Sequence, residues 1–248
     1  MWRRHSYYWL IPTMLLAAGV AQAQTRNEPL IDPGRIIGGS TKQLQDVQLV
    51  RGFLPQPALL RPGGAGQAAL VYLNPSADFS SYTKIMLEAV TIWTTPDSPL
   101  NRVPQSQRRA LAQKFYADTY NALRQHCQMV RSPSPGTMRI RIALTDATSP
   151  DAAVNTVATF APYVSAAYGV ASSLFNKGVG YFAGTASAEA FAIDATKGTV
   201  LWEAADKRGG TTALVANTLD NWRDVNHAME AWSQKLAARL LDLGACRQ

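Results

Sequence analysis

Alternating apolar and polar positions predict a β-hairpin over residues 178–206, the most strongly patterned stretch of the chain. Glu189, Phe191 and Ile193 fall on one face of its first strand, because successive side chains of a strand point to opposite sides. Alanine occupies the opposite face at positions 186, 188, 190 and 192. We therefore expect this ribbon to be the element around which the other elements pack.

The turn of this hairpin is predicted at Asp194 to Gly198. Asp194 can accept a hydrogen bond from the backbone two residues later, and Gly198 can take a positive φ without a Cβ clash. Placing Asp194 opposite residue 199 pairs Ile193 with residue 200 and Phe191 with Trp202. Each apolar cross-strand pair contributes about 0.2–1 kcal/mol beyond burial.

Hydrophobic periodicity elsewhere predicts further strands and two long helices. The strands are expected at 70–73, 82–93, around 128–131 and from 138 onward, and the helices at 104–126 and 220–243. A helix within 162–175 is also expected, as a core or cover helix or, alternatively, as an apolar patch for membrane contact. The fold class is thus a single α+β domain with a mixed β-sheet of about five strands and helices packed mainly on one face.

The two long helices each carry an apolar stripe at three-to-four spacing, which is typical of a helix with one buried face. The first stripe consists of Leu111, Phe115, Thr119, Ala122 and Leu123; the second consists of Trp222, Val225, Met229, Trp232, Leu236 and Leu240. We interpret the aromatic residues of the second stripe as core rather than as a platform for a ligand.

Residues 1–23 have the features of a secretory signal peptide: Arg3 and Arg4, a short apolar run, and small residues before a site after Ala23. The apolar run is too short and too interrupted for a membrane span, although an uncleaved anchor is the alternative. The protein is therefore expected to be exported and periplasmic. Residue 24 is glutamine, so no lipobox cysteine follows the cleavage site, and residues 24–48 are expected to form a flexible lead before a domain at 49–248.

The chain of 248 residues has a formal net charge of +7, which falls to +5 when the two arginines of the signal peptide are removed. The remaining basic clusters are small: Arg108 with Arg109, and Arg139 with Arg141. They indicate a solvated surface or weak attraction to anionic envelope polymers or lipid headgroups. Nucleic acid is not an expected partner of an exported protein, peripheral membrane contact stays open, and the charge leaves the oligomeric state unknown.

Cys127 and Cys246 are the two cysteines of the chain, and each follows the end of a predicted helix. In an oxidising compartment this pair can close a loop worth roughly 4–5 kcal/mol in the chain-entropy model. Two buried free thiols are the alternative.

The sequence offers no assembled catalytic or cofactor motif. His126 and His227 have no cysteine or carboxylate at ligand spacing, so neither a metal nor a cofactor is expected. Glu189 and Asp194 lie about 16 Å apart along a strand, too far to act as a carboxylate pair. Glu189 stays a possible polar site or a polar residue at the rim of the sheet, whereas Glu203 is expected to be solvated.

Several blocks of the sequence resemble an uncharacterised bacterial family, domain of unknown function 3313. They are Gly52-Phe53-Leu54, the run from Tyr82 to Val90, the run from Pro133 to Ile142 with Thr145 to Ala147, Gly184 to Glu189 leading to the turn at 194–198, and the helix from Trp222 to Leu240. The resemblance covers roughly 50–243 and implies an envelope protein, often a lipoprotein, with no assigned activity. This chain departs from the lipoprotein pattern because Ala23 is followed by glutamine.

The order of the elements is also similar to that of envelope domains that work by binding partners, such as the N-terminal domain of the Tol-Pal translocation protein. We therefore expect a non-catalytic binding or assembly factor of the cell envelope, whose partner is an envelope protein or an anionic envelope polymer. The alternative is an envelope-polymer-processing enzyme in which acidic residues such as Glu189 and Asp146 converge from separate elements.

Overall fold

Nine strands and two α-helices form the part of the chain that this computed structural model describes, residues 41–149, 184–210 and 222–247. The strands are β1 (Thr41–Leu44), β2 (Arg61–Pro62), β3 (Leu70–Leu73), β4 (Lys84–Leu87), β5 (Thr91–Ile92), β6 (Gln128–Met129), β7 (Thr137–Thr148), β8 (Thr185–Asp194) and β9 (Val200–Gly210). The helices are α1 (Gln105–Leu123) and α2 (Arg223–Asp242), with 3₁₀ turns at Pro57–Leu59, Phe79–Ser81 and Pro99–Arg102. The described residues belong to one compact unit, Pro33–Gln248. The predicted signal peptide, residues 24–40 of the lead and the helix expected at 162–175 lie outside them.

All nine strands belong to one mixed sheet in the order β2-β3-β9-β8-β7-β4-β6, with β1 on β9 and β5 on β7. The class is α+β, but the prediction of about five strands is wrong. The run expected as one strand at 82–93 is broken between β4 and β5, so two short parallel strands share one edge of β7. At the other end, β1 and β3 share one edge of β9. Thr41–Leu44 falls within the lead that was expected to be flexible, and it forms a strand because that edge offers unpaired backbone groups.

The turn between β8 and β9 forms as its residues dictate. The Asp194 Oδ1 accepts hydrogen bonds from the Thr196 N–H at 2.8 Å, the Thr196 hydroxyl at 2.7 Å and the Lys197 N–H at 2.9 Å. Gly198 has a φ of +74°. The Asp194 N–H donates to the Thr199 carbonyl at 2.8 Å, which confirms the predicted start of the register.

The register further along the hairpin differs from the prediction. Ile193 pairs with Val200 as expected, but Leu201 is inserted as a β-bulge, so Ala192 pairs with Trp202 and Phe191 with Glu203. One extra residue reverses the alternation of every later side chain. The prediction that Trp202 lies over Phe191 is therefore wrong, because the two rings lie on opposite faces of the sheet.

Both helices pack on the face of the sheet that carries Ala192 and Trp202. The buried stripe of α1 matches the predicted one residue for residue. The helices contact each other through apolar side chains and through a buried hydrogen bond of 3.0 Å between the Thr119 and Ser233 hydroxyls. A fully buried layer from β4 and β7 lies beneath them: Ile85, Met138, Ile140 and Leu144.

The opposite face of the sheet is covered by the proline-rich 49–60 segment, which has no α-helix or strand of its own, as its composition predicts. Val50, Phe53, Leu54 and Leu60 are buried against Phe191. The ring centroids of Phe53 and Phe191 are 5.4 Å apart in an edge-on arrangement. This segment therefore seals one side of the hairpin, while the helices seal the other.

Cys127 and Cys246 are joined by a disulfide, which confirms the predicted bridge between the ends of the two helices. Because disulfides persist in oxidising compartments, the bond indicates an extracytoplasmic protein. Neither helix in the described ranges has the length and apolarity needed to span a bilayer.

Candidate functional site

A partly open cavity of about 190 Å³ lies between α2 and the β3-β9-β8 part of the sheet. We call it the α2 cavity. Its sheet side is formed by Gly66, Gln67, Ala68, Val71, Tyr72, Leu73, Ile142, Ala188, Glu189, Ala190, Trp202, Glu203, Ala204 and Asp206, and its helix side by Phe115, Thr119, Trp232, Ser233, Lys235, Leu236, Arg239, Leu240 and Leu243. Most of these side chains are apolar.

The cavity exists because alanines face large side chains across the gap. Ala188, Ala190 and Ala204 stand on the helix-facing side of β8 and β9, where a larger residue would fill the space below α2. Trp232 and Leu236 face them from the helix, but they do not reach the sheet everywhere. The predicted alanine face of the hairpin therefore forms the floor of a cavity large enough for a small ligand, instead of a tightly packed core.

Trp202 enters the lining of the cavity because of the β-bulge at Leu201. The indole is 7% exposed, and its Nε1 is buried without a hydrogen-bond acceptor in the described part of the chain. Buried donors of this kind are ordinarily paired, since leaving one unpaired costs about 1–3 kcal/mol. This feature is not visible in the sequence, because a register without the bulge places Trp202 on the other face of the sheet.

Of the three acidic residues in the lining, Glu189, Glu203 and Asp206, it is Asp206 whose carboxylate contacts α2, and its oxygens already have hydrogen-bond donors. Its Oδ1 accepts from the Gln43 amide at 2.6 Å and from the Ala69 N–H at 2.9 Å, and its Oδ2 accepts from the Trp232 indole at 2.7 Å. Arg208 lies 3.9 Å from the same Oδ2. Asp206 therefore holds β1, the start of β3 and α2 together rather than offering a free charge.

The mouth of the cavity is basic. Lys235 and Arg239 are exposed, lie one helical turn apart on α2 and both contribute to the lining. Within the described ranges neither forms an ion pair. By contrast, the arginines that the sequence analysis considered for anion binding, Arg139 and Arg141, contact the Glu88 carboxylate at 2.8 and 3.0 Å.

A pair of buried glutamates occupies the other face of the sheet. Glu189 and Glu203 are each 1% exposed and lie on neighbouring strands below the 49–60 segment. The Val50 N–H donates to the Glu189 Oε1, and the Gln56 N–H donates to the Glu203 Oε1, both at 2.6 Å. The expectation that Glu203 is solvated is wrong, because the bulge turns it beneath this segment. The expectation that Glu189 lies at the rim of the sheet is also wrong, because the residue lies on the same face as Glu203 and is covered by the 49–60 segment.

Burial shifts the protonation of this carboxylate pair. The pKa of Glu189 is raised to about 7, chiefly by loss of solvation; the hydrogen bond from Val50 opposes the shift, and the nearby Glu203 contributes to it. The pKa of Glu203 is also raised by burial, against the hydrogen bond from Gln56. The Oε2 atoms of both residues have no partner in the described residues. These carboxyls therefore fasten the 49–60 segment to the sheet through its backbone.

The acidic residues considered for catalysis serve separate local contacts. The Asp146 Oδ1 accepts from the Ser98 hydroxyl at 2.5 Å, and Glu189 is held by Val50. Asp194 belongs to the turn, where hydrogen bonds from Thr196, Lys197 and Tyr82 outweigh burial and lower its pKa to about 2. Within the described ranges, no group of three or more His, Cys, Asp or Glu side chains is placed to hold a metal ion.

The fold and the disulfide define the class: an extracytoplasmic α+β domain with a mixed sheet, two helices on one face and an irregular segment on the other. The chain belongs to a protein family of unknown function, DUF3313, whose model matches residues 51–236. This match confirms the resemblance found in the sequence.

Solved structures to which this chain is similar include PelC proteins and a DUF4136 family protein. A PelC variant that forms a dodecamer, from Paraburkholderia phytofirmans, is 14% identical with a TM-score of 0.37, and the alignment covers 72% of this chain and 96% of that one. The PelC dodecamer of the same organism in another crystal form is 13% identical with a TM-score of 0.35, and the alignment covers 72% of this chain and 96% of that one. A DUF4136 family protein from Bacteroides thetaiotaomicron is 10% identical with a TM-score of 0.35, and the alignment covers 71% of this chain and 96% of that one. Similarities this low carry no argument about function. No curated protein matches the chain.

Proposed function

We propose that this protein is a non-catalytic binding or assembly factor of the cell envelope, exported to the periplasm, and that its ligand site is the α2 cavity. The observation that carries the proposal is the cavity itself. It is concave, mostly apolar and partly open, and its few polar groups lie at defined positions, which is the usual character of a ligand site. The described residues of its lining include no histidine or cysteine.

The location of the protein supports this proposal. The disulfide is typical of an oxidising compartment, and the pattern of residues 1–23 is typical of a signal for export. The basic mouth formed by Lys235 and Arg239 favours partners that carry negative charge, such as an acidic envelope protein, an anionic polymer or a membrane surface.

The enzyme alternative has weaker support. A catalytic carboxylate must reach its substrate, whereas Glu189 and Glu203 are 1% exposed and lie under the 49–60 segment. Asp146 has its own partner in Ser98. The acidic residues therefore support a structural interpretation better than a catalytic one.

A photocrosslinking amino acid at Leu236, inside the cavity, tests the proposed binding function in intact cells. The matched control is Ala238, which lies on the exposed side of the same helix and outside the lining. We expect a specific adduct, protein or lipid, from position 236 and none from position 238. The same adducts from both positions, or none from either, would contradict the proposal.

A further inference from the structure

We propose that the α2 cavity binds a free fatty acid, with the acyl chain inside the cavity and the carboxylate at the mouth beside Lys235 and Arg239. This inference rests on the proposed binding function and names the ligand class of the same site. Two features of the cavity support it, its volume with its apolar lining and the charge at its mouth, and an unpaired donor in the lining reports on whether the cavity is filled.

The volume fits one narrow apolar chain. An engineered apolar cavity of about 150 Å³ stays dry and binds benzene, so the 190 Å³ of this cavity accommodates roughly eight carbon atoms on the same scale. A floor of alanines favours an unbranched chain, because Ala190 and Ala204 expose only methyl groups to it. The two acyl chains of a phospholipid exceed this volume, which favours a single-chain ligand.

The charge around the mouth fits an anionic head group. Lys235 and Arg239 stand on the same face of α2 and have no acidic partner within the described ranges. The charge of Asp206 is countered by Arg208, whose Nη1 lies 3.9 Å from its Oδ2, while neutral donors from Gln43, Ala69 and Trp232 hold both of its oxygens. Glu189 and Glu203 direct their carboxylates to the other face of the sheet, against Val50 and Gln56.

The unpaired donor is the Trp202 indole. Its Nε1 is buried in a side chain that lines the cavity, and the described residues offer it no acceptor. This nitrogen is closed to a water-sized molecule, so Trp202 reports on a chain that fills the cavity, whereas the head group binds at the exposed mouth beside Lys235 and Arg239. An apolar chain that ends in a carboxylate therefore fits both the apolar lining and the basic mouth of the cavity.

The experiment uses the delipidated mature protein and decanoate, below the concentration at which decanoate forms micelles. Binding is measured by calorimetry and by the indole N–H resonances of Trp202 and Trp232. We expect saturable binding at one site and a shift of the Trp202 resonance. Decanol should bind at least tenfold more weakly, and decyltrimethylammonium more weakly still, because both lack the anionic head.

Two sets of variants separate the chain from the head group. Ala204→Leu fills the cavity and should weaken decanoate binding at least tenfold, while Ala238→Leu, outside the lining, should not change it. The double variant Lys235→Gln with Arg239→Gln should weaken decanoate binding about tenfold and leave decanol binding unchanged, with Arg109→Gln as the exposed basic control. If Ala204→Leu does not fold, Leu236→Trp fills the same volume from the helix side.

Several results would overturn the fatty-acid inference. The inference fails if decanoate shows no saturable binding, if decanol binds with equal affinity, or if both cavity-filling variants bind decanoate with unchanged affinity. It also fails if the protein binds only vesicles of anionic phospholipid, or if it forms a dimer that decanoate does not disrupt. Protein adducts from position 236 in cells, combined with no decanoate binding, would leave the proposed binding function intact and refute this ligand alone.

Discussion

The substitution Glu189→Gln should remove the part of the pH dependence of stability between pH 5 and pH 8 that comes from Glu189 and leave the part that comes from Glu203. Folding raises the pKa of Glu189 from the ordinary value of 4.5 to about 7, chiefly because burial disfavours the charged carboxylate. A carboxyl with a raised pKa stabilises the folded state while it is protonated. This contribution is complete below about pH 4.5 and is lost as the pH rises through 7.

The size of the effect follows from the shift. A change from 4.5 to about 7 corresponds to about 3 kcal/mol, since each pKa unit is worth about 1.4 kcal/mol. Glutamine keeps an oxygen that can accept from the Val50 N–H, but it cannot ionise. Its amide group adds unpaired donors that cost about 1–3 kcal/mol, equally at both pH values. The difference between the two pH values is therefore the diagnostic quantity.

The assay is urea denaturation of the wild type and the variant at pH 5 and at pH 8. We expect ionisation of Glu189 to lower the free energy of unfolding of the wild type by up to about 3 kcal/mol between these values. Glu189→Gln should lack this contribution and show a smaller decrease, which comes from Glu203. Glu230→Gln, at an exposed position on α2, is the control and should keep the wild-type difference. A Glu189→Gln variant with the same pH dependence as the wild type would refute the reasoning.

Three further predictions concern the turn and the disulfide. The pKa of Asp194 is lowered from 3.8 to about 2, so its contribution of roughly 2 kcal/mol to stability is present above pH 4 and is lost as the pH falls through 2. The melting temperature of Asp194→Asn should therefore fall less than that of the wild type between pH 4 and pH 2. An equal fall in both proteins would contradict this. Gly198→Ala should lower the free energy of unfolding by about 1–2 kcal/mol in urea denaturation, because φ at this position is +74°, although the space around it is open. Gly198→Asn should lower it less, since asparagine adopts a positive φ more readily than alanine. Equal losses in the two variants would refute this explanation. Thiol labelling of the denatured, unreduced protein should find no free thiol, and two reactive thiols in the wild type would disprove the bridge. Because the disulfide joins residues separated by 119 positions, Cys246→Ser should lower the free energy of unfolding by about 4–5 kcal/mol.

Local signals predicted the elements well. The turn at Asp194 to Gly198, the strand at 70–73 and the buried stripe of α1 all depend on contacts within a few residues, so the sequence specifies them directly. The bulge at Leu201 does not depend on such contacts. Leu201 is 2% exposed in the helix-side core, so its insertion follows from packing across the sheet. That single residue decided the faces of Trp202 and Glu203, and with them the contents of both sites.

The sequence by itself determined the α+β class, the family and the alanine face of the hairpin, and it left a disulfide and two free thiols as alternatives that the structure decided in favour of the disulfide. Only the tertiary structure decided that the alanine face lies beneath α2 with unfilled space, and that Glu189 and Glu203 meet below the 49–60 segment. The physical reason is that turns, stripes and alternation are short-range properties. Cavity volume and carboxylate burial depend instead on side chains more than a hundred residues apart, whose register a single inserted residue reverses.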